Sequence, residues 1–364
     1  MSAPIRVGII GFGTAGRVFH APFIAADPEF QLTAIVTADE GRRAAARAAY
    51  PDAVLVDTPA ALLGGSESGR LSGSGSGSGS GSASAPLDLV VVASPSGLHA
   101  EHALQAIAAG CSVVVDKPFA VTAAQGRAIV DAARAAGVTA TVFQNRRWDG
   151  DFLTVKAVVA SGELGDVHRF ESRFEWWKPA ADASWKSTTP AGDGGGILYD
   201  LGPHLIDQAV QLFGPATVEH AELFSRRPGA AADDDAFVAL QHASGVRSHL
   251  WMNAVAAQAG PRFRILGSSG AFTSCGLDAQ EDALAAGAYP TSPGFGERPP
   301  AQRVAVGTDA DLQRLPFERG DYASFYRGLA DAILRGSPPP VDAEEAVRTL
   351  ELIETIHRTT TIRK

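Results

Sequence analysis

The sequence predicts two domains, a doubly wound parallel α/β domain followed by an α+β domain with a large, mainly antiparallel sheet. In the first part of the chain, short apolar strands alternate with helical patterns, which is typical of βαβ units and a parallel sheet. Beyond Gly150, several strands follow one another with no helix between most of them, which favours antiparallel pairing. The length of 364 residues fits about two domains.

The first domain is predicted over residues 1–143. Its clearest strand is LDLVVVA at 87–93, a nearly continuous apolar run of the kind that is covered on both faces. A Ser-Gly alternation at 72–82 interrupts the pattern. We predict a flexible loop over 65–85, because this composition cannot bury enough apolar area to offset its ordering entropy; a domain linker is the alternative. The other predicted strands are 6–10, 31–37, 112–115 and 139–143, and the predicted helices are 42–50, 59–63, 99–109 and 123–136.

The second domain is predicted over residues 144–364. Residues 276–316 are rich in Gly and Pro, and this composition predicts irregular structure. Two helices close the chain, over 322–335 and 343–357, with Asp342 at the N-cap position of the second. The predicted strands are 167–176, 217–224, 235–241, 246–253 and 263–267.

The composition argues against several classes of protein. A formal net charge of −9 argues against nucleic acid as a general partner, since phosphate binding needs a basic surface. No apolar run approaches the ~20 residues that cross a bilayer. The first residues show no secretory signal, so we expect no membrane association and a cytoplasmic location. Cys111 and Cys275 cannot by themselves build a disulfide framework or a structural zinc site, and we expect no metal.

A glycine-rich turn follows the first strand and opens a helix. It reads Gly11-Phe12-Gly13-Thr14-Ala15-Gly16, a G-x-G-x-x-G motif. In such a turn the first glycine permits the tight bend, the second lets the backbone approach a pyrophosphate, and the third lets helix and strand pack closely. The diphosphate would lie at the helix N-terminus, where free N–H groups favour anions. The sequence therefore predicts a Rossmann-type dinucleotide site; a glycine cluster without a ligand is the alternative.

The residues after the second strand bear on the choice of dinucleotide. An acidic residue here favours NAD by bonding the ribose hydroxyls, whereas a small polar residue with nearby arginines favours the 2′-phosphate of NADP. Thr37 with Arg42 and Arg43 suits NADP, and Asp39 is close enough to serve an NAD site. We prefer NADP, and NAD stays open.

Several stretches together resemble the Gfo/Idh/MocA oxidoreductase family, named for glucose-fructose oxidoreductase and inositol dehydrogenase. They are GFGTAGRVFHAPF (11–23), ASPSGLHAEHA (93–103), VVVDKPFAVT (113–122), FQNRRWDGDFLTVK (143–156) and GGGILYDLGPHLIDQ (194–208). The resemblance spans the chain except at the Ser-Gly tract. Two of these stretches, FQNRRWDGDF and GRVFHAPF, most closely resemble the subgroup that contains NADP-dependent scyllo-inositol dehydrogenase.

The resemblance implies a set of site residues. The family's catalytic lysine lies in a Glu-Lys-Pro motif, which this chain replaces with Asp116-Lys117-Pro118, and the family's Asp-x-x-x-His motif matches Asp200 to His204. Lys117, Asp200 and His204 are then the catalytic group, and they also contact substrate. Cofactor-binding positions would be Gly11, Phe12, Gly13, Ala15, Gly16, Thr37, Asp39, Arg42, Ser94, Pro95, Ser96, His99, Lys117 and Gln144. Asn145, Arg146 and Arg147 would bind substrate.

The residue types fit the oxidation of a secondary alcohol, which needs a base for the hydroxyl proton and a cation for the developing alkoxide. On a helix, Asp200 and His204 share a face because they are four residues apart. His204 is a plausible base, since the unperturbed pKa of histidine lies near 6.5, and Asp200 would bond the substrate or hold the imidazole. Lys117 follows a parallel strand, at the end where α/β sheets place ligands.

Each of these assignments has an alternative that involves structure alone. Asp200 could instead cap a helix that starts near Leu201. Lys117 could be an ordinary solvated lysine, and Arg146 and Arg147 a surface basic pair. The aromatic residues Trp176, Trp177 and Trp185 could wall a sugar-sized pocket or belong to the core or an interface.

These inferences predict an NADP- or NAD-dependent dehydrogenase acting on a ring polyol or sugar, with scyllo-inositol the first candidate. The cofactor carries the hydride chemistry in such enzymes, and the protein orients and polarises the substrate. An NAD-assisted glycosidase without net redox change and a cofactor-sensing binding protein without turnover are the alternatives. The resemblance also implies a homo-oligomer, a dimer or tetramer, formed through the sheet of the second domain.

Overall fold

A computed structural model describes residues 3–64, 87–180, 189–191 and 194–364. The predicted loop at 65–85 and Trp185 lie outside the described residues. The chain forms two compact units. The first comprises Met1–Phe119, Arg127–Phe143 and Tyr326–Ala343, and the second comprises Ala120–Gly126, Gln144–Phe325 and Glu344–Lys364.

The first unit contains a six-stranded sheet in which every neighbouring pair is parallel, as the sequence predicts. The strand order β3-β2-β1-β4-β5-β6 is that of the dinucleotide-binding fold, whose ligands lie at the carboxyl ends of the strands where the order reverses. Here that point lies between β1 and β4. The strands are β1 Ile5–Ile10, β2 Phe30–Val36, β3 Val54–Val56, β4 Leu89–Val92, β5 Ser112–Val115 and β6 Ala140–Val142. The short strand β3 was not predicted.

The helix predicted after the glycine turn begins irregularly. Ala15–His20 is a π-helical segment, and the α-helical hydrogen bonds start only with α1, Ala21–Ala26. Pro22 stands in the first turn of α1, and its missing N–H group prevents a continuous α-helix across this point. The remaining helices of this part of the chain match the predictions: α2 Glu40–Ala49, α3 Pro59–Leu62, α4 His99–Ala108 and α5 Ala123–Ala136.

The second unit contains a nine-stranded sheet of order β14-β13-β12-β11-β7-β10-β9-β8-β15. Most pairs are antiparallel, as predicted, and the pairs β7–β10 and β8–β15 are parallel. Its strands are β7 Val167–Glu175, β8 Ala216–Phe224, β9 Asp235–His242, β10 Arg247–Asn253, β11 Phe263–Gly267, β12 Ala271–Ser274, β13 Val304–Thr308, β14 Asp311–Leu315 and β15 Ile362–Arg363.

Several features of this unit differ from the sequence analysis, among them the short strands β12 and β15, which were not predicted. The prediction that 276–316 is irregular is wrong, because this stretch contains the hairpin β13–β14 and the short helix α8, Gln280–Ala285. Val304 and Val306 alternate with more exposed residues as a strand requires, but the many Gly and Pro residues around them obscured that pattern. Helix α6, Gly150–Ser161, was not predicted, since its apolar residues surround the helix instead of forming one stripe.

Three long helices complete the described chain: α7 Ile197–Phe213, α9 Ala323–Arg335 and α10 Ala343–Thr359. Helix α7 packs on β7, β9 and β10, and so lies against one face of the large sheet. The last two helices match the prediction. Within the described residues, every helix is too short or too polar to cross a lipid bilayer.

Candidate active site

The glycine turn lies between β1 and the π-helical segment. Gly11 has a φ of +98°, which favours glycine. A Cβ atom on Gly16 would lie 2.1 Å from the carbonyl oxygen of Gly11, so any side chain there would displace the turn. A Cβ atom on Gly13, in contrast, would have no described protein atom within 4 Å. The turn is thus packed at the third glycine and open at the second, which is the arrangement that a pyrophosphate requires.

The neighbours of these glycines support a dinucleotide site. Phe12 is buried, with its ring edge-on to Tyr50 at 6.2 Å between centroids. Ala15 begins the π-helical segment, so the backbone N–H groups of its first turn are placed to meet an anion. The residues present therefore fit a nicotinamide dinucleotide.

Substitutions at the two glycines separate these roles. We expect Gly13→Ala to leave the thermal stability of the free protein nearly unchanged and to weaken dinucleotide binding at least about tenfold, a cost of about 1.4 kcal/mol, because the new methyl group occupies the open side of the turn. Gly16→Ala should instead lower the melting temperature of the free protein. Thermal melts with and without cofactor measure both effects. Equal dinucleotide affinity of Gly13→Ala and the wild-type protein would contradict a pyrophosphate at this turn.

The residues after β2 have distinct partners. Asp39 is the N-cap of α2, and its side chain accepts a hydrogen bond of 2.8 Å from the backbone N–H of Arg42. Arg43 donates to the carbonyl of Thr37 and pairs with Asp57. The side chain of Arg42 is exposed. This arrangement gives Asp39 a structural role and leaves Arg42, of the two arginines, the better placed to meet a phosphate.

His99 joins two loops of the first unit. Its Nδ1 lies 2.8 Å from the carbonyl oxygen of Pro118, and its Nε2 lies 2.8 Å from that of Ser94. Burial lowers the pKa of His99, while Asp116 and the two carbonyl groups act in the opposite direction. The ring therefore holds the segment containing Ser94, Pro95 and Ser96 next to the segment containing Lys117.

Lys117 comes two residues after β5 and is half-buried, which argues against the solvated alternative. Asp116 accepts a 2.7 Å hydrogen bond from the backbone N–H of Lys117 through Oδ1. Burial opposes ionisation of Asp116, but His20, His99 and Lys117 together hold the pKa of its carboxyl below the usual range. A fixed negative charge thus stands directly beside the lysine.

In the second unit, α7 starts earlier than the sequence indicates. Asp233 accepts a 2.8 Å hydrogen bond from the backbone N–H of Leu198, and its own carbonyl accepts one from Ile197. A Cβ atom on Gly196 would lie 2.2 Å from the Asp233 carboxylate, so glycine is needed for this contact. The alternative in which Asp200 caps the helix is wrong, because the capping carboxylate comes from a distant segment.

Asp233 gives the structure a measurable pH dependence. Burial raises its pKa to about 6, against the hydrogen bond from Leu198 N. Because the folded pKa exceeds that of an unfolded aspartate, ionisation costs stability above pH 6, and the wild-type protein regains that stability as the pH falls from about 6 to about 4. Asp233→Asn keeps the acceptor but cannot ionise. We expect the difference in unfolding free energy between this variant and the wild type to be about 2 kcal/mol more favourable to the variant at pH 8 than at pH 4.5. Urea unfolding at both pH values measures this gain, and an equal difference at both would contradict it.

Asp200 and His204 lie one turn apart on α7, so they share a face as predicted. Asp200 is half-buried in the first turn, and His204 is buried with its ring 6.4 Å from that of Phe174. One helix therefore presents a carboxylate and an imidazole close together, which is the pair that proton transfer requires.

The segment after β6 is more deeply buried than a surface basic pair would be. Gln144 donates to the carbonyl of Pro203 at 3.2 Å, and Asn145 is also buried. Arg147 binds Asp207 through two hydrogen bonds, of 2.8 and 2.5 Å. Arg146 pairs with Asp149 and Glu281. The surface alternative is therefore wrong for Arg146 and Arg147. The guanidinium of Arg147 binds α7 through Asp207.

Sequence reasoning missed a group of buried acids near this segment. Asp149 accepts a 2.6 Å hydrogen bond from the hydroxyl of Tyr322, and Asp278 accepts one of 2.8 Å from Gly150 N. Burial raises the pKa of Asp149 and of Asp151. Asp278 and Tyr322 are far from the other two acids in the sequence, and the group forms no motif, so sequence reasoning could not find it. Among the described residues, no group of three or more His, Cys, Asp or Glu side chains could hold a metal ion.

Two of the predicted wall tryptophans are described. Trp176 is half-buried, and Trp177 is 58% exposed, which excludes Trp177 from the core. Lys178 lies over the ring of Trp176, with Nζ 5.3 Å from its centroid. An exposed aromatic face suits either a sugar ring or an interface.

Comparison with known proteins identifies the family. Residues 5–144 match the model described as "Oxidoreductase family, NAD-binding Rossmann fold", and residues 152–273 match "GFO/IDH/MocA C-terminal domain". A scyllo-inositol 2-dehydrogenase (NADP(+)), IolW of Bacillus subtilis, is 33% identical over 96% of this chain and 92% of its own length. The chain belongs to the Gfo/Idh/MocA family. It is therefore an NAD(P)-dependent oxidoreductase.

Other Gfo/Idh/MocA relatives agree with the fold. The uncharacterized oxidoreductase YdgJ of Escherichia coli is 36% identical over 97% of this chain and 96% of its own. The solved structure of the oxidoreductase yvaA from Bacillus subtilis matches with a TM-score of 0.86 at 32% identity, covering 98% of this chain and 96% of that one. These matches extend across both units, so the predicted family and fold are confirmed.

Proposed function

We propose that this enzyme transfers a hydride between NADP(H) and a secondary alcohol of a ring polyol or sugar, with scyllo-inositol the first candidate. The observation that carries the proposal is the carboxylate–imidazole pair of Asp200 and His204 on α7, in a chain with the family's lysine motif. The naming of the relative IolW as an NADP-dependent scyllo-inositol 2-dehydrogenase supports the choice of substrate class.

The proposed roles follow from the chemistry of each side chain. NADP, when bound, would accept or supply the hydride at its nicotinamide ring. His204 acts as the general base that takes the hydroxyl proton, and Asp200 bonds the substrate or holds the imidazole in one tautomer. The Lys117 ammonium stabilises the alkoxide as it forms. Asn145 and Arg146 would contact the substrate, and we propose that Arg147 positions α7 through Asp207.

The cofactor positions remain those that the sequence predicts. The turn of Gly11, Phe12, Gly13, Ala15 and Gly16 would hold the diphosphate. Gln144, which follows β6, would also contact the cofactor. Ser94, Pro95, Ser96 and His99 would lie along the nicotinamide ribose. Thr37 and Arg42 would meet the 2′-phosphate, while Asp39 caps α2.

Cofactor choice is tested by thermal shift with NADP and NAD in parallel. A ligand at 100 times its Kd raises stability by about 2.7 kcal/mol, and we expect the larger shift with NADP. Arg42→Ala should weaken NADP binding about tenfold or more, since a hydrogen bond to a charged group is worth about 1.5–3 kcal/mol, and should leave NAD binding unchanged. Asp39→Asn keeps the helix cap and serves as the control. Loss of NAD affinity in Asp39→Asn would show that Asp39 binds the ribose after all.

The substrate proposal is tested by a screen of inositols and hexoses with NADP reduction followed at 340 nm. Reduction with a ring polyol supports the proposal. A product formed without net nicotinamide reduction would identify the glycosidase alternative instead.

We also propose a homo-oligomer through the large sheet. One face of β8, β9 and β10 carries the partly exposed aromatics Phe224, Phe237 and Trp251 among charged side chains. Arg173 lies over the Trp251 ring at 3.9 Å. Such a mixture of aromatic and arginine side chains is common at interfaces. Light scattering in solution, which gives the assembly mass, tests this proposal, and a monomer would overturn it.

A further inference from the structure

A buried histidine outside the proposed mechanism lies close to Lys117 within the first unit. His20 ends the π-helical segment, and its side chain is completely buried. Its Nδ1 lies 2.6 Å from the hydroxyl oxygen of Tyr326, and its ring packs 4.4 Å from that of Phe143. The imidazole is therefore held in one orientation by a hydrogen bond on one side and an aromatic ring on its face.

The other ring nitrogen points toward the carboxylate next to the lysine. Within the described residues, Nε2 of His20 makes no hydrogen bond, and it lies 3.9 Å from Oδ2 of Asp116. The opposite oxygen of Asp116, Oδ1, accepts the backbone N–H of Lys117. A buried N–H group without an acceptor is costly. When Nε2 carries the proton, the nearby negative charge of Asp116 offsets part of that cost.

A protonated Tyr326 hydroxyl can donate to Nδ1 or accept from it, so the Asp116 carboxylate near Nε2 favours one of the two tautomers. Burial, together with Asp116, keeps the pKa of Tyr326 well above its usual value, so its hydroxyl stays protonated. When that hydroxyl donates to Nδ1, the imidazole proton stands on Nε2 and faces Asp116. This tautomer is the one that a carboxylate stabilises.

We propose that His20, locked by Tyr326, is a positioning residue for Lys117 and acts through Asp116. The inference rests on the proposed function, because it assigns a purpose to the placement of Lys117. His20 attracts one oxygen of Asp116 across 3.9 Å, and the other oxygen accepts the backbone N–H of Lys117. The carboxylate is thereby oriented, and its charge acts on the lysine ammonium. Among the described residues, the titratable groups that interact with Asp116 are His20, His99, Lys117 and Tyr326.

Two substitutions of His20 separate positioning from packing. The amide nitrogen of His20→Gln reaches the place of Nε2 and can donate toward Asp116, whereas the amide of His20→Asn reaches only the place of Nδ1 and Tyr326. We expect His20→Gln to retain turnover within about threefold and His20→Asn to lose about tenfold or more in kcat, a change of about 1.4 kcal/mol, with little change in cofactor Kd. A purely structural role predicts the reverse order or equal losses.

A second measurement does not depend on turnover. The sequence contains five lysines, so the 13C-methyl signals of the reductively methylated protein are few, and Lys117→Arg identifies the signal of Lys117. We expect Asp116→Asn to lower the pKa of Lys117 and His20→Asn to raise it, since the charge of Asp116 is then uncompensated. His20→Gln should leave it near the wild-type value.

The outcomes separate this inference from the proposed function. If the wild-type enzyme oxidises no polyol but the Lys117 titration follows the expected order, the function is wrong and the positioning role stands. If the titration is the same in the wild-type, His20→Asn and His20→Gln proteins, the positioning role is overturned, whatever the substrate. A double variant, His20→Asn with Asp116→Asn, should lose no more turnover than Asp116→Asn alone, because both act on one contact; additive losses would overturn the proposal.

Discussion

Replacing Lys117 with alanine is expected to lower turnover by about two to four orders of magnitude, the range found for groups that stabilise developing charge or transfer protons. The ammonium is the cation that we assign to the alkoxide, whereas Arg146, the other cation of the proposed site, is paired with Asp149 and Glu281. The Kd for NADP should change much less than kcat. Steady-state kinetics with the best polyol from the screen, together with cofactor titration, measure the two quantities.

The matched control is Lys156→Ala on α6, which removes an exposed lysine. Its kinetics should match those of the wild-type enzyme. Near-normal turnover in Lys117→Ala would show that the alkoxide is stabilised by another group and would remove Lys117 from the catalytic assignment.

His204→Ala carries the second large effect, again about two to four orders of magnitude in kcat. The loss follows from removing the general base, and it should shrink as the pH rises, because hydroxide and the substrate alkoxide then replace the missing base. Asp200→Asn should give a smaller loss if Asp200 only orients the imidazole. Profiles of kcat and kcat/KM against pH for both variants distinguish these roles.

His168→Ala serves as the control for His204, since His168 is exposed near the start of β7. If His204→Ala kept the wild-type profile at neutral pH, the proton would be leaving by another route. In that case Asp200 would become the candidate base.

The sequence was sufficient for most of the first unit. Strands such as LVVV are continuous apolar runs, and the glycine turn stands between a strand and a helix, the context in which its spacing indicates a dinucleotide site. These are local signals, so a single sequence contains them. The distinction between Gly13 and Gly16 could also be predicted, although their spatial surroundings required the structure.

The parts that could not be predicted depend on contacts between distant residues. Asp233 sets the start of α7 from 35 residues beyond Leu198, and Asp207 binds Arg147 across 60 residues. His20 meets Tyr326 across 306 residues. A pattern within one short window cannot report such pairs, and without them a helix start near Leu201 stays open as an alternative, which the observed start at Ile197 excludes.

The return of Tyr326–Ala343 to the first unit has a consequence for how the protein is made. Thr141, in the middle of β6, donates a 2.7 Å hydrogen bond to the carbonyl of Val341, and Arg335 pairs with Glu29. During synthesis, the amino-terminal segments leave the ribosome long before these partners exist. The nascent unit must therefore wait, with the surface around His20 still uncovered, until residues 326–343 have been translated.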